Sequence, residues 1–173
     1  MSYHRRTILL PLALLAAGPG SAIARPAPVP ASAPIAARSP FLGRWELDLT
    51  RMPATYGTPP RRVVYRFEDI GGGRSRLTVD ITAQDDSVRH MTTAYRPDGR
   101  AARSEGETSE TDSAAFLLPA PNVLVMNLAR NRMPASVRVY TIAPDGREMT
   151  ESAADVDDKG DPFVRKFHFR RVG

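Results

Sequence analysis

Apolar and polar side chains alternate along most of the chain after residue 40. In Phe41–Thr50, the side chains of Trp45, Leu47 and Leu49 share one parity, and charged or polar residues occupy the other. A period of two with one apolar side is typical of a half-buried β-strand. Further segments of strand length with apolar alternation or short apolar runs are 63–68, 76–82, 88–96, 114–118, 123–129, 137–142, 147–156 and 163–172.

Turn signals separate these segments and leave little room for helices. Gly71–Gly73 and two copies of Pro-Asp-Gly-Arg, at 97–100 and 144–147, are typical of hairpin turns, because proline fixes φ and glycine supplies a positive φ. Residues 51–60 contain three prolines, so we expect a loop there. The pattern predicts an all-β fold, an antiparallel up-and-down β-barrel of about 8–10 strands without a helical lid.

The charged parity indicates which face of the barrel lies outside. Glu46, Arg62, Arg66, Arg76 and Asp80 occupy the polar positions of the first three strands. Facing lipid would cost about 2–4 kcal/mol for each arginine at the membrane midplane. We therefore expect the apolar face to point inward and the charged face to meet water.

The first 24 residues have the order of a secretory signal peptide. Arg5 and Arg6 precede an apolar run at 7–17, and an Ala-Ile-Ala sequence ends at Ala24. This order predicts export to the periplasm or beyond, with cleavage near Ala24. The apolar run is shorter than the ~20 residues of a membrane span, so we expect no transmembrane span in the mature protein. The arginine pair leaves both the general secretory and the twin-arginine route open.

Composition divides the remaining chain and excludes several kinds of site. Residues 25–40 are rich in proline and alanine and predict a linker, which leaves 41–173 as the barrel domain. The absence of cysteine excludes disulfides, thiolate metal sites and cysteine nucleophiles. The net charge of +5 is spread over many segments instead of one basic stripe, so we expect no nucleic-acid partner.

The opening strand carries a family resemblance. Phe41-x-Gly43-x-Trp45-x-Leu47 resembles the start of the calycin barrels, the lipocalins and fatty-acid-binding proteins. With the Val64–Phe67 strand and the Asp-Gly hairpins, the chain looks like the small secreted bacterial lipocalin-like proteins. The resemblance implies that Trp45 packs across one barrel end and that the interior binds a small apolar or amphiphilic ligand. One departure is the proline loop, which stands where fatty-acid-binding proteins have a helical lid.

Aromatic residues on the inward parity are the candidate ligand contacts. In fatty-acid-binding proteins, an Arg-x-Tyr arginine in the last strand anchors the ligand carboxylate, and Arg165 resembles it. Arg138-Val139-Tyr140 matches the same spacing better, but lies earlier in the chain. A guanidinium among apolar rings favours contact with an anionic group. The predicted ligand-binding residues are Tyr65, Phe67, Tyr140, Arg165, Phe167 and Phe169.

Other chemistry finds little support in the sequence. His90 and His168 have no partner of metal-site spacing, and the acidic turn at 155–161 has lysine at a ligand position of a calcium loop. No Gly-x-Ser-x-Gly motif is present, so we expect no enzyme, cofactor or metal. A buried cluster of titratable groups would instead favour an enzyme. The alternative function is a filled barrel that acts as a cell-envelope or periplasmic interaction module with a protein partner.

Overall fold

The computed structural model describes residues 38–173, so the predicted leader and most of the predicted linker lie outside the described residues. This part of the chain is all-β, with two short 3₁₀ turns, Leu49–Arg51 and Ala54–Tyr56, between the first two strands. None of its helices is long and apolar enough to cross a membrane. The strands are β1 Gly43–Leu47, β2 Arg62–Gly71, β3 Arg74–Thr82, β4 Val88–Tyr95, β5 Asp98–Gly106, β6 Ser113–Ala120, β7 Val123–Arg130, β8 Met133–Ile142, β9 Glu148–Val156 and β10 Pro162–Arg171.

The ten strands form one closed antiparallel barrel in which each strand pairs with its neighbours in sequence. Closure joins β1 to β10, where Trp45 pairs with Arg171 and Leu47 pairs with Phe169. Short connections between sequential strands favour this order, and closure leaves no exposed sheet edge. The predicted up-and-down barrel without a helical lid is therefore confirmed, with ten strands.

The inward face is the apolar parity. Trp45 and Leu47 on β1 and Leu77 and Val79 on β3 are buried, and Phe169 on β10 is 2% exposed. The alternate positions carry the charged side chains predicted for the outside, and a bidentate Arg62–Glu46 pair joins β2 to β1 there. Burial of the apolar parity is the main source of stability for a barrel of this kind.

Trp45 lies at the barrel end where the chain enters β1. Its indole Nε1 donates a hydrogen bond to the Phe41 carbonyl at 2.8 Å, and the residue is 0% exposed. The Arg171 guanidinium lies 4.2 Å from the centroid of the Trp45 ring. Arg171 also donates to the carbonyls of Pro40, Leu42 and Gly146 at 2.5, 2.6 and 2.8 Å. This end of the barrel is closed by an aromatic ring under a cation that donates three hydrogen bonds to backbone carbonyls.

The opposite end is bordered by the loop between β1 and β2. The Tyr56 hydroxyl accepts a hydrogen bond from the backbone N–H of Lys166 at 3.0 Å, and its ring meets Phe167 edge-on at 5.5 Å. The Gln84 side chain, in the β3–β4 turn, donates to the Pro59 carbonyl at 2.7 Å. The loop is thereby held against β10 and β3–β4, at the rim of the barrel.

Candidate ligand-binding site

A cavity of about 410 Å³ lies inside the barrel at the end bordered by the β1–β2 loop. Its size falls within the range of about 300–1,000 Å³ that is usual for small-molecule sites. Met52, Pro59 and Pro60 from the loop line its mouth. The apolar wall of the cavity includes Leu47, Val63, Ile81, Phe163, Phe167 and Phe169.

Strand β10 supplies the aromatic side of the cavity. Phe163, Phe167 and Phe169 lie on its inward parity, and burial increases from the half-buried Phe163 at the mouth to the fully buried Phe169. Phe169 packs against Tyr65 of β2, with ring centroids 4.7 Å apart. A wall of rigid rings offers large apolar contact area at low cost in side-chain entropy.

The strand register places two arginines at the same level of the inner wall. Ala153 of β9 pairs with Arg138 of β8 on one side and with Arg165 of β10 on the other. One step deeper, Glu151 pairs in the same way with Tyr140 and Phe167. The small side chain of Ala153 leaves open space between the two arginines, where a larger residue would fill the barrel.

Arg138 and Glu151 form an ion pair inside the barrel. Nη1 of Arg138 donates to Glu151 Oε1 at 3.2 Å and to the Tyr65 hydroxyl at 3.4 Å. Nη2 lies 3.6 Å from a carboxylate oxygen of Glu110. The Glu151 side chain is only 2% exposed, whereas that of Arg138 is 23% exposed towards the cavity it lines. The positive charge of Arg138 is thus compensated by two carboxylates.

Burial dominates the acid–base properties of this cluster. It raises the pKa of Glu151 above the ordinary glutamate value, and the nearby Arg138 cation acts in the opposite direction. Burial also raises the pKa values of Tyr65 and Tyr140, so both phenols stay protonated at neutral pH. Such a cluster of buried titratable groups beside a cavity is a recognised mark of a functional site.

Three polar atoms of the cluster are buried without a hydrogen-bond partner among residues 38–173. They are Tyr140 Oη, Glu151 Oε2 and Arg138 Nε. More than nine in ten buried polar groups in proteins have a partner, and an unpaired group costs about 1–3 kcal/mol. A second space of about 40 Å³ is lined by Tyr140, and Tyr65 and Arg138 line both spaces.

The structure brings most of the predicted ligand-binding residues to this region. Tyr65, Arg165, Phe167 and Phe169 line the large cavity, and Tyr140 lines the small one. Phe67 lies elsewhere, towards the Trp45 end, with its ring 5.9 Å from that of Phe41.

Arg165 lies at the mouth of the cavity and is exposed to solvent. Its guanidinium is 5.3 Å from the Tyr56 ring centroid and 4.9 Å from that of Phe163. Within the described range it forms no ion pair, unlike Arg89 and Arg138, which line the same cavity and contact Glu110. Arg165 is therefore a cation without a protein counter-ion at the entrance.

Sequence reasoning missed the acidic members of the site. Glu151 lies on a strand that has only a weak alternation, and Glu110 lies in the acidic segment 101–112, whose sequence is typical of an exposed strand or loop. The available signal was Arg138-Val139-Tyr140, which matches the Arg-x-Tyr spacing better than Arg165 does. Tyr140 belongs to the predicted ligand-binding residues, whereas Arg138 does not.

Neither a metal site nor a similarity to known proteins assigns a function to this cavity. The described part of the chain contains no group of three or more His, Cys, Asp or Glu side chains that could hold a metal ion. His90 instead lies on the outer surface, with its Nδ1 2.6 Å from a carboxylate oxygen of Asp80. No protein-family model matches the chain, and no curated protein matches it significantly.

Proposed function

We propose that this protein is an exported lipocalin-like barrel that binds a small amphiphilic molecule in its interior. The observation that carries the proposal is the cavity of about 410 Å³, which opens at one end and is walled by aromatic side chains. The Gly43-x-Trp45 start and the apolar leader support the family and the exported location. The same cavity argues against the alternative of a filled barrel that serves only as an interaction module.

The apolar body of the ligand would lie against β10 and the facing strands. Phe163 and Phe167 are only half-buried, so a ligand that covers them removes apolar surface from water, at about 25 cal/mol per Å². A cavity near the lower end of the usual range fits a short-chain or single-ring amphiphile better than a full-length lipid.

Arg165 would hold an anionic group at the entrance. Its guanidinium has no protein counter-ion in the described chain and is fixed over the Tyr56 and Phe163 rings. Arginine offers a planar fork of donors that matches a carboxylate or phosphate. In this arrangement the charged end of the ligand stays at the mouth, in contact with water, and its apolar body points inward.

The test measures the binding of a neutral apolar dye, N-phenyl-1-naphthylamine, to wild type and to two variants in which phenylalanine replaces an alanine. Ala153→Phe places a ring in the cavity, between Arg138 and Arg165, so dye binding should be lost. Ala154→Phe adds the same ring at the next position, which is exposed on the outer face, and should leave binding unchanged. Equal dye binding by both variants would place the ligand outside the barrel and refute the proposal.

A second candidate is acid–base chemistry on the bound molecule. The observation that favours it is Glu151, a buried carboxyl group with a raised pKa beside the cavity, since a catalytic acid or base works best with a pKa near the operating pH. In D₂O, wild type would then exchange a C–H proton of its bound molecule for deuterium. Glu151→Gln would stop that exchange while the molecule stays bound, and absence of exchange in wild type would reject this candidate.

A further inference from the structure

Two neighbouring residues on the inner wall of the barrel each have an unpaired polar atom. Tyr140 of β8 and Glu151 of β9 are directly paired in the antiparallel register. Their Cβ atoms are therefore expected at about 4.5–5.5 Å from each other. Within residues 38–173, neither Tyr140 Oη nor Glu151 Oε2 makes a hydrogen bond of ordinary geometry, although the Tyr65 hydroxyl lies close enough to influence the pKa values of both groups.

The charges around these atoms are already balanced. Glu151 pairs through its other oxygen with Arg138 at 3.2 Å, and Glu110 approaches the same guanidinium at 3.6 Å. A ligand carboxylate at this position would meet one cation that already faces two carboxylates. Like charges in a water-poor site repel strongly, so an anionic group is disfavoured here.

We propose that the Tyr140–Glu151 pair is a subsite for a neutral group that both donates and accepts a hydrogen bond, such as an alcohol or a primary amide. The inference rests on the proposed interior binding site and names the inner end of its ligand. The group would donate to Glu151 Oε2 and accept from the Tyr140 hydroxyl. Both unpaired atoms would thereby gain partners.

Arg138 connects this subsite to the main cavity. It lines both the space of about 410 Å³ and the space of about 40 Å³. Its side chain is 23% exposed, and the proposed subsite requires that its guanidinium shift to leave a passage between the two spaces. A polar group that enters this passage replaces the missing hydrogen bonds, whereas a methyl group in the same place leaves them unmade.

The experiment compares octanamide with octanoate, two ligands of the same shape that differ in charge. Each is titrated against dye-loaded protein at pH 7, and the dye alone reports whether the cavity binds apolar molecules at all. The comparison uses the Arg165→Gln variant, because Arg165 at the mouth favours the acid in wild type. In that variant, octanamide should bind about tenfold more tightly than octanoate, since one hydrogen bond to a charged or buried partner corresponds to about a tenfold change in affinity.

Tyr140→Phe is the matched variant, since it removes one hydroxyl that has no partner in the described protein. Octanamide binding should weaken about tenfold, while binding of the dye and of octanoate stays within about twofold. Tyr95→Phe removes a buried tyrosine hydroxyl remote from both spaces and should change none of the three affinities.

Three outcomes count against the inference. Octanoate that binds the Arg165→Gln variant as tightly as octanamide does, or a Tyr140→Phe variant with unchanged octanamide affinity, would overturn the subsite while dye binding still supported the interior site. Loss of stability in the Tyr140→Phe variant without ligand would show that the hydroxyl has a structural partner, and would also overturn it. Failure of the dye to bind wild type would reject the proposed function itself.

Discussion

Oε1 of Glu151 accepts a hydrogen bond from Arg138 at 3.2 Å in the interior of the barrel, at the wall of its cavity. A buried ion pair of this kind contributes little net stability, because desolvation offsets most of the attraction between the charges. Removing only one of the two charged side chains is costly, however, because the other charge then remains buried without a partner. The pair is therefore better explained as part of a binding site than as a support for the fold.

A double-mutant cycle tests this interpretation. Arg138→Met alone should lower the free energy of unfolding by about 3–5 kcal/mol, because it leaves Glu151 buried and unpaired. Arg138→Met combined with Glu151→Leu should recover most of that loss, since both charges are then absent. Urea melts at pH 7 measure both values. A double variant as unstable as the single variant would show that the pair supports the fold directly.

The pH dependence of stability should carry the signature of Glu151. Burial raises its folded-state pKa above the ordinary value of 4.5, so the folded protein binds this proton more tightly than the unfolded chain does. Its favourable contribution is complete below pH 4.5 and is lost as the pH rises through the folded pKa. The stability of wild type relative to Glu151→Gln should thus fall across that window in urea melts. A difference that rises with pH would show that Arg138 lowers the Glu151 pKa instead.

Arg171 should be far more important for stability than its neighbour Arg170. Arg171 covers Trp45 and donates to three carbonyls, so Arg171→Gln should cost about 2–4 kcal/mol. The Arg170 side chain is 65% exposed, and its one ion pair within residues 38–173 is with Asp48, at 3.5 Å, so Arg170→Gln should cost less than about 1 kcal/mol. Thermal or urea unfolding compares the two, and equal losses would contradict the role given to the closed end.

Trp45 itself provides a separate test of the barrel end. The residue is 0% exposed, and its indole nitrogen has a backbone partner. Trp45→Ala should therefore lower the free energy of unfolding by about 3–5 kcal/mol, as expected for truncation of a buried aromatic residue. A loss below about 1 kcal/mol in denaturant melts would indicate that Trp45 is accessible, and would make it a candidate binding residue.

Export is tested by the mass of the mature protein. The leader predicts cleavage after Ala24, which makes Arg25 the first residue of the exported chain. Expression with the native leader, followed by fractionation and intact-mass measurement, should find this species outside the cytoplasm. Retention of the full-length chain in the cytoplasm would contradict export, and a full-length chain in the membrane would indicate an uncleaved anchor.

The fold was predictable because it follows from patterns within single strands and from the turns between neighbouring strands. The alternation around Trp45 and Leu47 determines which side chains face inward, and each Asp-Gly or triple-glycine turn joins neighbouring strands. Once ten such segments with one apolar face are joined by short turns, closure into a barrel is the simplest way to bury that face.

The candidate site was less predictable because it depends on side chains that several strands contribute together. Whether a barrel is hollow depends on the volumes of inward side chains from many strands, and Ala153 matters only because Arg138 and Arg165 flank it in the register. The weak alternation of residues 147–156 gives no indication that Glu151 faces inward. Only the pairing with Arg138 identifies it as a buried acid.

Native mass spectrometry of the protein, purified by a gentle route from its exported compartment, tests the central claim most directly. Wild type should carry a small bound molecule that dissociates on activation, and the Ala154→Phe control should carry the same molecule. The Ala153→Phe variant should be folded and empty, because its ring occupies the cavity. Repeated isolation of wild type without any bound molecule, or the same molecule on Ala153→Phe, would contradict a ligand-binding interior.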